Sequence, residues 1–167
     1  MTTNISTMDT PIGPFTVMVD GDGAVLASGW TADTDKLLAL VSRSLRPAQL
    51  HRRADLGPVT AAVLAYHRGE LDAIDAIPVR QRSGEFLEHA WDVLRAIPAG
   101  APVSYTGLAD KAGRPAAVRA AASACARNAT ALFVPCHRVV RGDGTLGGFR
   151  WGLPIKRWLL DHESAGH

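Results

Sequence analysis

The sequence has 167 residues, enough for one large domain or two small ones. Apolar residues make up 47% and charged residues 20%, as in a typical globular protein, and no apolar run is long enough to cross a membrane. The net charge of +2 is uneven, because residues 1–80 carry 7 basic and 9 acidic side chains whereas residues 81–167 carry 11 and 7. A basic C-terminal half is compatible with an anionic partner such as nucleic acid, although many basic surfaces bind nothing in particular.

Two cysteines, Cys125 and Cys136, are too few for a disulfide framework, so we expect a reducing, cytoplasmic environment. The first ten residues, MTTNISTMDT, contain neither a basic leader nor an apolar core. We therefore expect no secretory signal.

The first half of the chain predicts a small α/β unit. PFTVMV (14–19) and AVLASGW (24–30) flank DGDG, whose Asp-Gly pairs supply the positive φ angles of a tight turn, so they predict a β-hairpin. Apolar residues at helical spacing predict one helix over residues 37–45 and another over residues 58–68. A short strand is expected near residues 76–80.

The second half is mainly helical in its pattern. An apolar stripe from Phe86 to Leu94 predicts one helix, and Ser104 is a suitable N-cap for a short helix that ends at Ala112. Gly113-Arg114-Pro115 predicts a turn, with Pro115 at the first position of a helix over residues 116–127. Two helices joined by a short glycine-containing turn have the helix-turn-helix form, although many such pairs bind no DNA.

The last of these helices consists of unusually small side chains. Its sequence, AAVRAAASACARN, presents almost only alanine and serine, with Arg119 and Arg127 as the long exceptions. One interpretation is a buried helix that packs closely against its neighbours. The other is a helix that presses against a narrow surface, such as a groove of DNA, with an arginine reaching out.

The stretch VPCHRVV (134–140) places a cysteine directly before a histidine. A thiol is a good nucleophile only as the thiolate, and a neighbouring imidazole is able to accept its proton. Adjacent side chains in an extended segment point to opposite sides, so His137 reaches Cys136 only if the backbone turns sharply or a water bridges them. For an isolated Cys-His pair, a small buried cysteine beside a hydrogen-bonded histidine is the simpler interpretation.

The sequence motifs around this stretch favour a reactive cysteine. PCHRVV, preceded by SYTGLA (104–109) and followed by GGFRWG (147–152) and KRWLLDHE (156–163), resembles the O6-alkylguanine-DNA alkyltransferases, also called methylated-DNA–protein-cysteine methyltransferases. The resemblance is close over residues 84–163, and DTPIGPF and YHRGEL extend it into the first half. It implies an α+β fold, with a ribonuclease-H-like α/β domain over residues 1–80 and a mainly helical, winged-helix-like domain with a helix-turn-helix over residues 81–167.

The resemblance implies a single-turnover DNA repair reaction. Cys136 would accept the alkyl group from O6 of guanine by direct displacement, with O4 of thymine as a further candidate. His137 would act as the base through a water, Glu163 would orient that histidine, and Tyr105 would donate a proton to the purine. Asn128 occupies the position between the DNA-reading helix and the active-site strand, where its side chain is expected to satisfy the backbone of a turn.

The family also implies how DNA is bound. Its recognition helix enters the minor groove, and the damaged nucleotide is flipped out of the duplex. Arg119 would fill the space that this nucleotide leaves, and Ala116, Ala120 and Ala124 are expected near the DNA. Residues 147–152 would form a lid over the alkyl pocket, whose expected members are Pro135, Val139, Phe149 and Arg150, whereas Trp151 is expected to be a core aromatic residue.

The expected partner is therefore double-stranded DNA that contains O6-alkylguanine, bound by a monomer, with clustering along the DNA left open. No cofactor or metal is expected, because the first half has no cysteine and its two histidines are isolated. The additional zinc-binding regulatory segment of some larger relatives is not seen in the sequence, which looks like the stand-alone form. Two other hypotheses stay open: a sensor that binds the lesion without repairing it, and a cysteine hydrolase.

Overall fold

The structure, a computed structural model, describes residues 2–165. Its contacts divide the chain into two compact units. The first comprises the chain up to Arg82 together with Ala129–Phe133, and the second comprises Ser83–Asn128 and the chain from Val134 onward. The sequence prediction placed all of residues 81–167 in one domain, and the assignment of Ala129–Phe133 to the first unit corrects it.

The first unit is built on a four-stranded sheet with the strand order β3-β2-β1-β4. Strand β2 (Gly13–Val19) runs antiparallel to both β1 (Thr3–Thr10) and β3 (Val25–Gly29), and β4 (Leu50–Arg52) runs parallel to β1. The predicted hairpin between β2 and β3 is confirmed. In its turn, the Asp20 carboxylate accepts hydrogen bonds from the backbone N–H groups of Asp22 and Ala24, and Gly23 supplies a φ of 83°.

Two helices, α1 (Thr34–Leu38) and α2 (Pro58–His67), belong to this unit. Helix α2 confirms the prediction, whereas the helix predicted over residues 37–45 was wrong in both bounds. The Asp33 side chain caps α1, so the helix begins at Thr34 rather than at residue 37. After Leu38 the backbone continues through bonds three residues apart, Leu40 N to Leu37 O and Val41 N to Leu38 O, so the helix tightens and ends.

Two further segments border β3. The strand predicted near residues 76–80 is reduced to one parallel bridge between Val25 and Val79. Ser28 pairs with Thr130 in a second parallel bridge, and the Ser28 hydroxyl donates to the Ala131 carbonyl at 2.7 Å. These bonds, together with the Ser28 N–H to Ala129 O bond of 2.9 Å, explain why the segment 129–133 belongs to the first unit.

The second unit consists of helices around a short parallel strand pair. In chain order it contains α3 (Glu85–Arg95), β5 (Val103–Ser104), α4 (Tyr105–Lys111), α5 (Val118–Ala126), a 3-10 turn (Cys136–Arg138), β6 (Val139–Val140) and α6 (Leu153–Ala165). The helices predicted from Phe86 and from Ser104 are confirmed, and the Ser104 hydroxyl accepts the Gly107 N–H at 2.9 Å as the N-cap. Among residues 2–165, none of the helices combines the length and the hydropathy that crossing a membrane needs.

The start of α5 differs from the prediction. Pro115 was placed at the first helical position, but the helix begins at Val118. The Ala117 N–H donates to the Arg114 carbonyl at 2.8 Å, which closes a turn with Pro115 at its second position. Proline is favoured there because its fixed φ fits the turn. The connection between α4 and α5 is therefore longer than the three-residue turn that the sequence suggested.

The packing of the second unit fixes where α5 and the 3-10 turn lie. The Trp91 indole of α3 donates to the Ala124 carbonyl of α5 at 2.9 Å, and both residues are buried. Strand β5 pairs with β6 through Val103↔Val139 and Ser104↔Val140. Because α4 begins directly after β5 and the 3-10 turn ends directly before β6, this pairing brings the first turn of α4 close to the 3-10 turn.

Candidate active site

A cavity of about 340 Å³ lies in the second unit. Its walls come from the start of α4, one face of α5, the first residue of the 3-10 turn and the loop before α6. The lining residues are Tyr105, Ala122, Cys125, Ala126, Asn128, Cys136, Gly148, Phe149, Arg150 and Trp151. A cavity of this size with few polar groups is the common form of a small-molecule site.

Cys136 is half-buried and faces this cavity. Pro135 immediately precedes the 3-10 turn, and the Cys136 N–H donates to the Val134 carbonyl at 2.8 Å. Burial raises the pKa of the Cys136 thiol, while a hydrogen bond from Asn128 and the positive charges of Lys156 and Arg150 oppose that rise. The resting sulfur is therefore a neutral thiol at pH 7, and it needs a base to become a nucleophile.

The backbone at Cys136 and His137 is helical rather than extended. A 3-10 helix has about three residues per turn, so successive side chains diverge by about a third of a rotation instead of pointing to opposite sides. A backbone turn, one of the two alternatives that the sequence left open beside a bridging water, is present at Cys136–Arg138. Cys136 thus faces the cavity while His137 points into the core, where its side chain is fully buried.

A buried network of charged groups surrounds His137. Its Nε2 lies 2.8 Å from Oε2 of Glu163, a residue of α6. The Arg138 guanidinium donates two hydrogen bonds to the same carboxylate, Nε to Oε1 and Nη2 to Oε2, both at 2.9 Å. Its Nη1 donates a third to the Ile97 carbonyl at 2.7 Å. Because all three side chains are at most 3% exposed, solvent screens this network little.

The charges of this network determine the state of His137. Burial alone would raise the pKa of Glu163, but His137 and Arg138 hold it well below its usual range, so the carboxylate is ionised. Burial lowers the pKa of His137 against the opposing effect of Glu163, so the imidazole is neutral at pH 7. The proton then lies on Nε2 and is donated to Glu163. Nδ1 is left with its lone pair, and no partner for it exists among the described residues.

Asn128 joins the end of α5 to the cysteine segment. Its side chain is buried, and its Nδ2 donates to the Val134 carbonyl at 2.7 Å. This bond spans the excursion of Ala129–Phe133 into the first unit. The same amide group hydrogen-bonds the Cys136 thiol, which favours the thiolate. Ala129 itself is buried, and its N–H donates to the Gln81 side chain at 2.9 Å.

Tyr105 forms the wall of the cavity at the start of α4. Burial is the main cause that raises the pKa of its phenol, and the two cysteines raise it further, so the phenol is protonated at pH 7. The Gly148 N–H hydrogen-bonds the phenol oxygen. Gly147 leaves room for this ring, because a Cβ at that position would lie 2.8 Å from the phenol oxygen and its φ is 73°.

The loop before α6 covers part of the cavity. Phe149, Arg150 and Trp151 all line it, so Trp151, expected as a core aromatic, belongs to the pocket wall instead. The Arg150 guanidinium donates to the Ala126 carbonyl at the end of α5, which ties the loop to that helix. Pro135 and Val139 are buried, but neither is a lining residue.

Helix α5 presents three different faces. Ala121 and Ala124 are fully buried, and Ala122, Cys125 and Ala126 line the cavity. The prediction that Ala124 lies near DNA was wrong, because spacing of three residues from Ala121 turns it toward α3. The solvent-facing side carries Arg119 and Arg127, which are exposed, and the half-buried Ala120, while Ala116 is exposed in the preceding turn.

The sequence interpretation did not identify three of the charged or reactive residues at the site. Cys125 lines the cavity, and burial is the main cause that raises the pKa of its thiol far above the usual range, so it is a weak nucleophile. Arg138 and Lys156 are buried charges that contact backbone or carboxylate groups around Cys136 and His137. Adjacency to His137 is the sequence signal that could have found Arg138.

Comparisons with known proteins agree on one family. Residues 85–165 match the family described as 6-O-methylguanine DNA methyltransferase, DNA binding domain. The methylated-DNA–protein-cysteine methyltransferase of Mycobacterium bovis is 36% identical over 162 residues, which cover 95% of this chain and 91% of that protein.

Two further similarities extend this result. The bifunctional transcriptional activator/DNA repair enzyme Ada of Escherichia coli is 53% identical over 88 residues, which are 53% of this chain but only 25% of that protein. The crystal structure of Mycobacterium tuberculosis OGT in complex with DNA superposes with a TM-score of 0.80 at 30% identity, covering 98% of this chain and 94% of that one. The structural similarity covers nearly the whole chain.

Proposed function

Because the chain belongs to the family of methylated-DNA–protein-cysteine methyltransferases, we propose that it repairs alkylated DNA by moving an alkyl group from O6 of guanine to Cys136. An alkyl group on O4 of thymine is a second candidate substrate. The observation that carries the proposal is that Cys136 opens onto the cavity while the adjacent His137 is held by Glu163, which Arg138 fixes in turn. A neutral base near a neutral thiol can accept the thiol proton and so generate the nucleophilic thiolate.

The first step of the proposed reaction is proton transfer. The Cys136 proton passes through one water to Nδ1 of His137, whose lone pair has no partner in the described part of the chain. The imidazolium that forms faces the Glu163 carboxylate, which stabilises it. Arg138 keeps that carboxylate ionised and fixed through two hydrogen bonds. Because these groups are already in place, little rearrangement is needed when His137 accepts the proton.

The second step is a direct displacement. The Cys136 thiolate attacks the alkyl carbon, a carbon–sulfur bond forms, and the bond between that carbon and O6 of guanine breaks. Tyr105, whose raised pKa keeps the phenol protonated, donates a proton to the purine so that guanine leaves as a neutral base. The product is a thioether, which water does not hydrolyse readily, so each molecule reacts once.

The DNA-binding step is assigned to the exposed side of α5. Arg119 stands on this side at the first turn of the helix, and it would enter the base stack when the damaged nucleotide flips into the cavity. Small neighbours such as Ala120 suit a helix that enters the minor groove, which is only about 6 Å wide at rest. We expect a monomer to bind, and cooperative binding along the duplex is left to experiment.

The finer fold description belongs to the same proposal. A sheet ordered β3-β2-β1-β4, in which β4 is parallel to β1 and the other pairs are antiparallel, supports a ribonuclease-H-like first unit. The pair of helices α4 and α5 supports a winged-helix-like second unit. Two free cysteines suit the cytoplasmic location that we expect.

The test is incubation with a duplex that contains a single O6-methylguanine, followed by intact-protein mass spectrometry and analysis of the recovered DNA. We expect one methyl group per protein molecule, an unmodified guanine in the DNA, and no further reaction after one equivalent. An undamaged duplex of the same sequence is the control. Binding of the damaged duplex without any mass gain would show a lesion sensor, and turnover of an ester would show a hydrolase.

A further inference from the structure

Lys156 is a fully buried lysine at the site, and none of the steps above uses it. It lies on the inner face of α6, where Leu159 and Glu163 follow at intervals of three and four residues and are also buried. A buried ammonium group is costly unless it is paired or hydrogen-bonded, so its retention needs a reason.

The ammonium group of Lys156 is satisfied by backbone carbonyls. Nζ donates to the Val139 carbonyl at 2.7 Å and to the Gly148 carbonyl at 3.2 Å, with a third short bond to the Leu146 carbonyl. Val139 directly follows the 3-10 turn of Cys136, and Gly148 lines the cavity. One side chain therefore fastens the strand behind the nucleophile to the loop in front of it.

Within the described part of the chain, the charge of Lys156 has no carboxylate partner. No ion pair within residues 2–165 joins Lys156 to an aspartate or glutamate, and the buried carboxylate of Glu163 is already held by His137 and Arg138. The three carbonyl oxygens supply partial charges but no full negative charge. The Cys136 thiolate is an anion that this charge can balance, because the Lys156 charge lowers the pKa of the Cys136 thiol.

We propose that Lys156 is a positioning residue that holds the loop against β6 and serves as the buried counter-charge for the Cys136 thiolate. This deepens the proposed alkyl transfer and rests on it for the identity of the substrate. Two observations support the charge role: Nζ is held by the carbonyls of Val139, three residues after Cys136, and of Gly148, which lines the cavity, and the charges of the two cysteines raise the pKa of Lys156 against the lowering effect of burial. The other titratable or charged groups that act on Cys136, Lys156 or Tyr105 are Cys125, His137, Arg141 and Arg150.

The test measures the ionisation of Cys136 without DNA. Iodoacetamide reacts with the thiolate, and mass spectrometry of tryptic peptides follows labelling at Cys136 alone across a range of pH. In Lys156→Met we expect labelling at pH 7 to slow by about tenfold, with the pH midpoint moved upward, because an apolar side chain of similar length removes the charge. Lys156→Arg should recover the rate to within about threefold. The matched control is Lys36→Met, an exposed lysine of the first unit, which should label like the wild type.

A purely structural fastener predicts the opposite result. A loosened loop exposes Cys136, so Lys156→Met would label as fast as the wild type or faster with an unchanged pH midpoint, and that result would overturn the counter-charge. If Lys156→Met does not fold, as judged by circular dichroism, NMR of the wild type decides. The Lys156 13Cε signal should shift as the Cys136 thiol titrates and should lose that step in Cys136→Ser; a signal that ignores the thiol contradicts the proposal.

The same experiment separates this proposal from the proposed function. Thiol labelling needs no alkylated DNA, so Lys156 is tested even if the wild type fails to accept a methyl group. Conversely, a wild type that accepts the methyl group while Lys156→Met shows an unshifted labelling profile would retain the alkyl transfer and reject the role of Lys156.

Discussion

The two units bury polar side chains of different kinds. Within residues 2–165, those buried in the first unit are Thr3, Ser6, Thr16, Ser28, Thr60, His67 and Thr130, and those in the second are Asn128, His137, Arg138, Lys156 and Glu163. All the formal charges buried in the described chain lie in the second unit. In the first unit even His67 is neutral, because its Nε2 accepts the Trp30 indole N–H at 3.3 Å while Nδ1 bonds the Val63 carbonyl at 2.7 Å.

This contrast suggests that the buried polar groups of the first unit stabilise the fold, whereas those of the second unit serve the reaction. The buried hydroxyls of the first unit mostly hydrogen-bond backbone carbonyls, which secures strands and turns at little desolvation cost. The buried charges of the second unit carry a desolvation cost of several kcal/mol each, and replacing such groups by apolar ones is often neutral or stabilising. Their retention around Cys136 is explained if they prepare a proton transfer. Changes in the second unit should therefore affect alkyl transfer most, and changes in the first unit should affect only the stability of the fold.

The largest expected effect is that of Cys136→Ser. Because a serine hydroxyl is far harder to ionise than a thiol, transfer from O6-methylguanine should fall below detection, while binding of the damaged duplex persists. Gel-shift titration and protein mass spectrometry measure the two properties separately. Cys125→Ser is the matched control, since it changes the other thiol of the cavity and must still accept methyl. Loss of folding in Cys136→Ser would instead assign a mainly structural role to this cysteine.

Glu163→Gln should slow transfer on the order of a hundredfold, because His137 loses the carboxylate that orients it and stabilises its cation. It should also lower the free energy of unfolding by about 3 kcal/mol, since Arg138 is left buried without its partner. Single-turnover kinetics and urea unfolding measure these effects. An unchanged transfer rate in a folded variant would remove Glu163 from the reaction.

The same variant has a pH signature. The pKa of Glu163 is lower in the folded than in the unfolded chain, so its contribution to stability is complete above the ordinary value of 4.5 and is lost as the pH falls below it. The stability difference between wild type and Glu163→Gln should therefore shrink as the pH falls below that value. A difference that grows with acidity would contradict the ionised state of this carboxylate.

Arg119→Ala sharpens the comparison within the second unit, because Arg119 is exposed and lies outside the buried network. We expect repair of duplex DNA to slow by about tenfold, or about 1.4 kcal/mol, while attack on the free base O6-methylguanine is unaffected. The measurement compares the rates of methyl transfer from the damaged duplex and from the free base. Arg127→Ala, at the other end of the same helix, is the matched control for a general loss of positive charge. Equal slowing on both substrates would exclude a role in flipping.

The smallest expected effect on repair is that of Thr16→Val in the first unit. The Thr16 hydroxyl donates to the Thr31 carbonyl at 2.6 Å and lies 2.7 Å from the Thr7 hydroxyl. Removing it should lower the free energy of unfolding by about 1 kcal/mol. The transfer rate per folded molecule should stay at the wild-type value, as measured by single-turnover kinetics. A transfer rate that falls with stability unchanged would break the division between the two units.

Local patterns predicted the elements that depend on local signals. The hairpin of β2 and β3, and the helices α2, α3 and α4, follow from Asp-Gly turns, helical periodicity and the Ser104 cap. Strand β1 was not predicted, because TNISTMDT is polar and its pairing with β2 and β4 is what makes it a strand. The placement of residues 129–133 was also beyond local patterns, since the Ser28 hydroxyl and the carbonyl that it bonds are 103 residues apart in the chain.

The candidate site shows the same limit. The motif VPCHRVV and the resemblance it carries pointed to Cys136, His137 and Glu163, which the structure brings to one cavity and one buried network. Lys156 escaped prediction because a lysine in an amphipathic helix is ordinarily exposed, and only the position of backbone carbonyls in the fold makes its burial favourable. Ala124 was misplaced because an alanine-rich helix gives no hydrophobic stripe from which its buried face could be read.

The most direct test of the account is to locate the transferred methyl group on the protein. Trypsin separates the two thiols of the cavity, because Cys125 lies in the peptide of residues 120–127 and Cys136 in that of residues 128–138. After reaction with an O6-methylguanine duplex, we predict a methyl group on the peptide of residues 128–138 alone, in proportion to the guanine restored. Methylation of the peptide of residues 120–127, or restored guanine with neither peptide modified, would contradict the assignment of Cys136 as the acceptor.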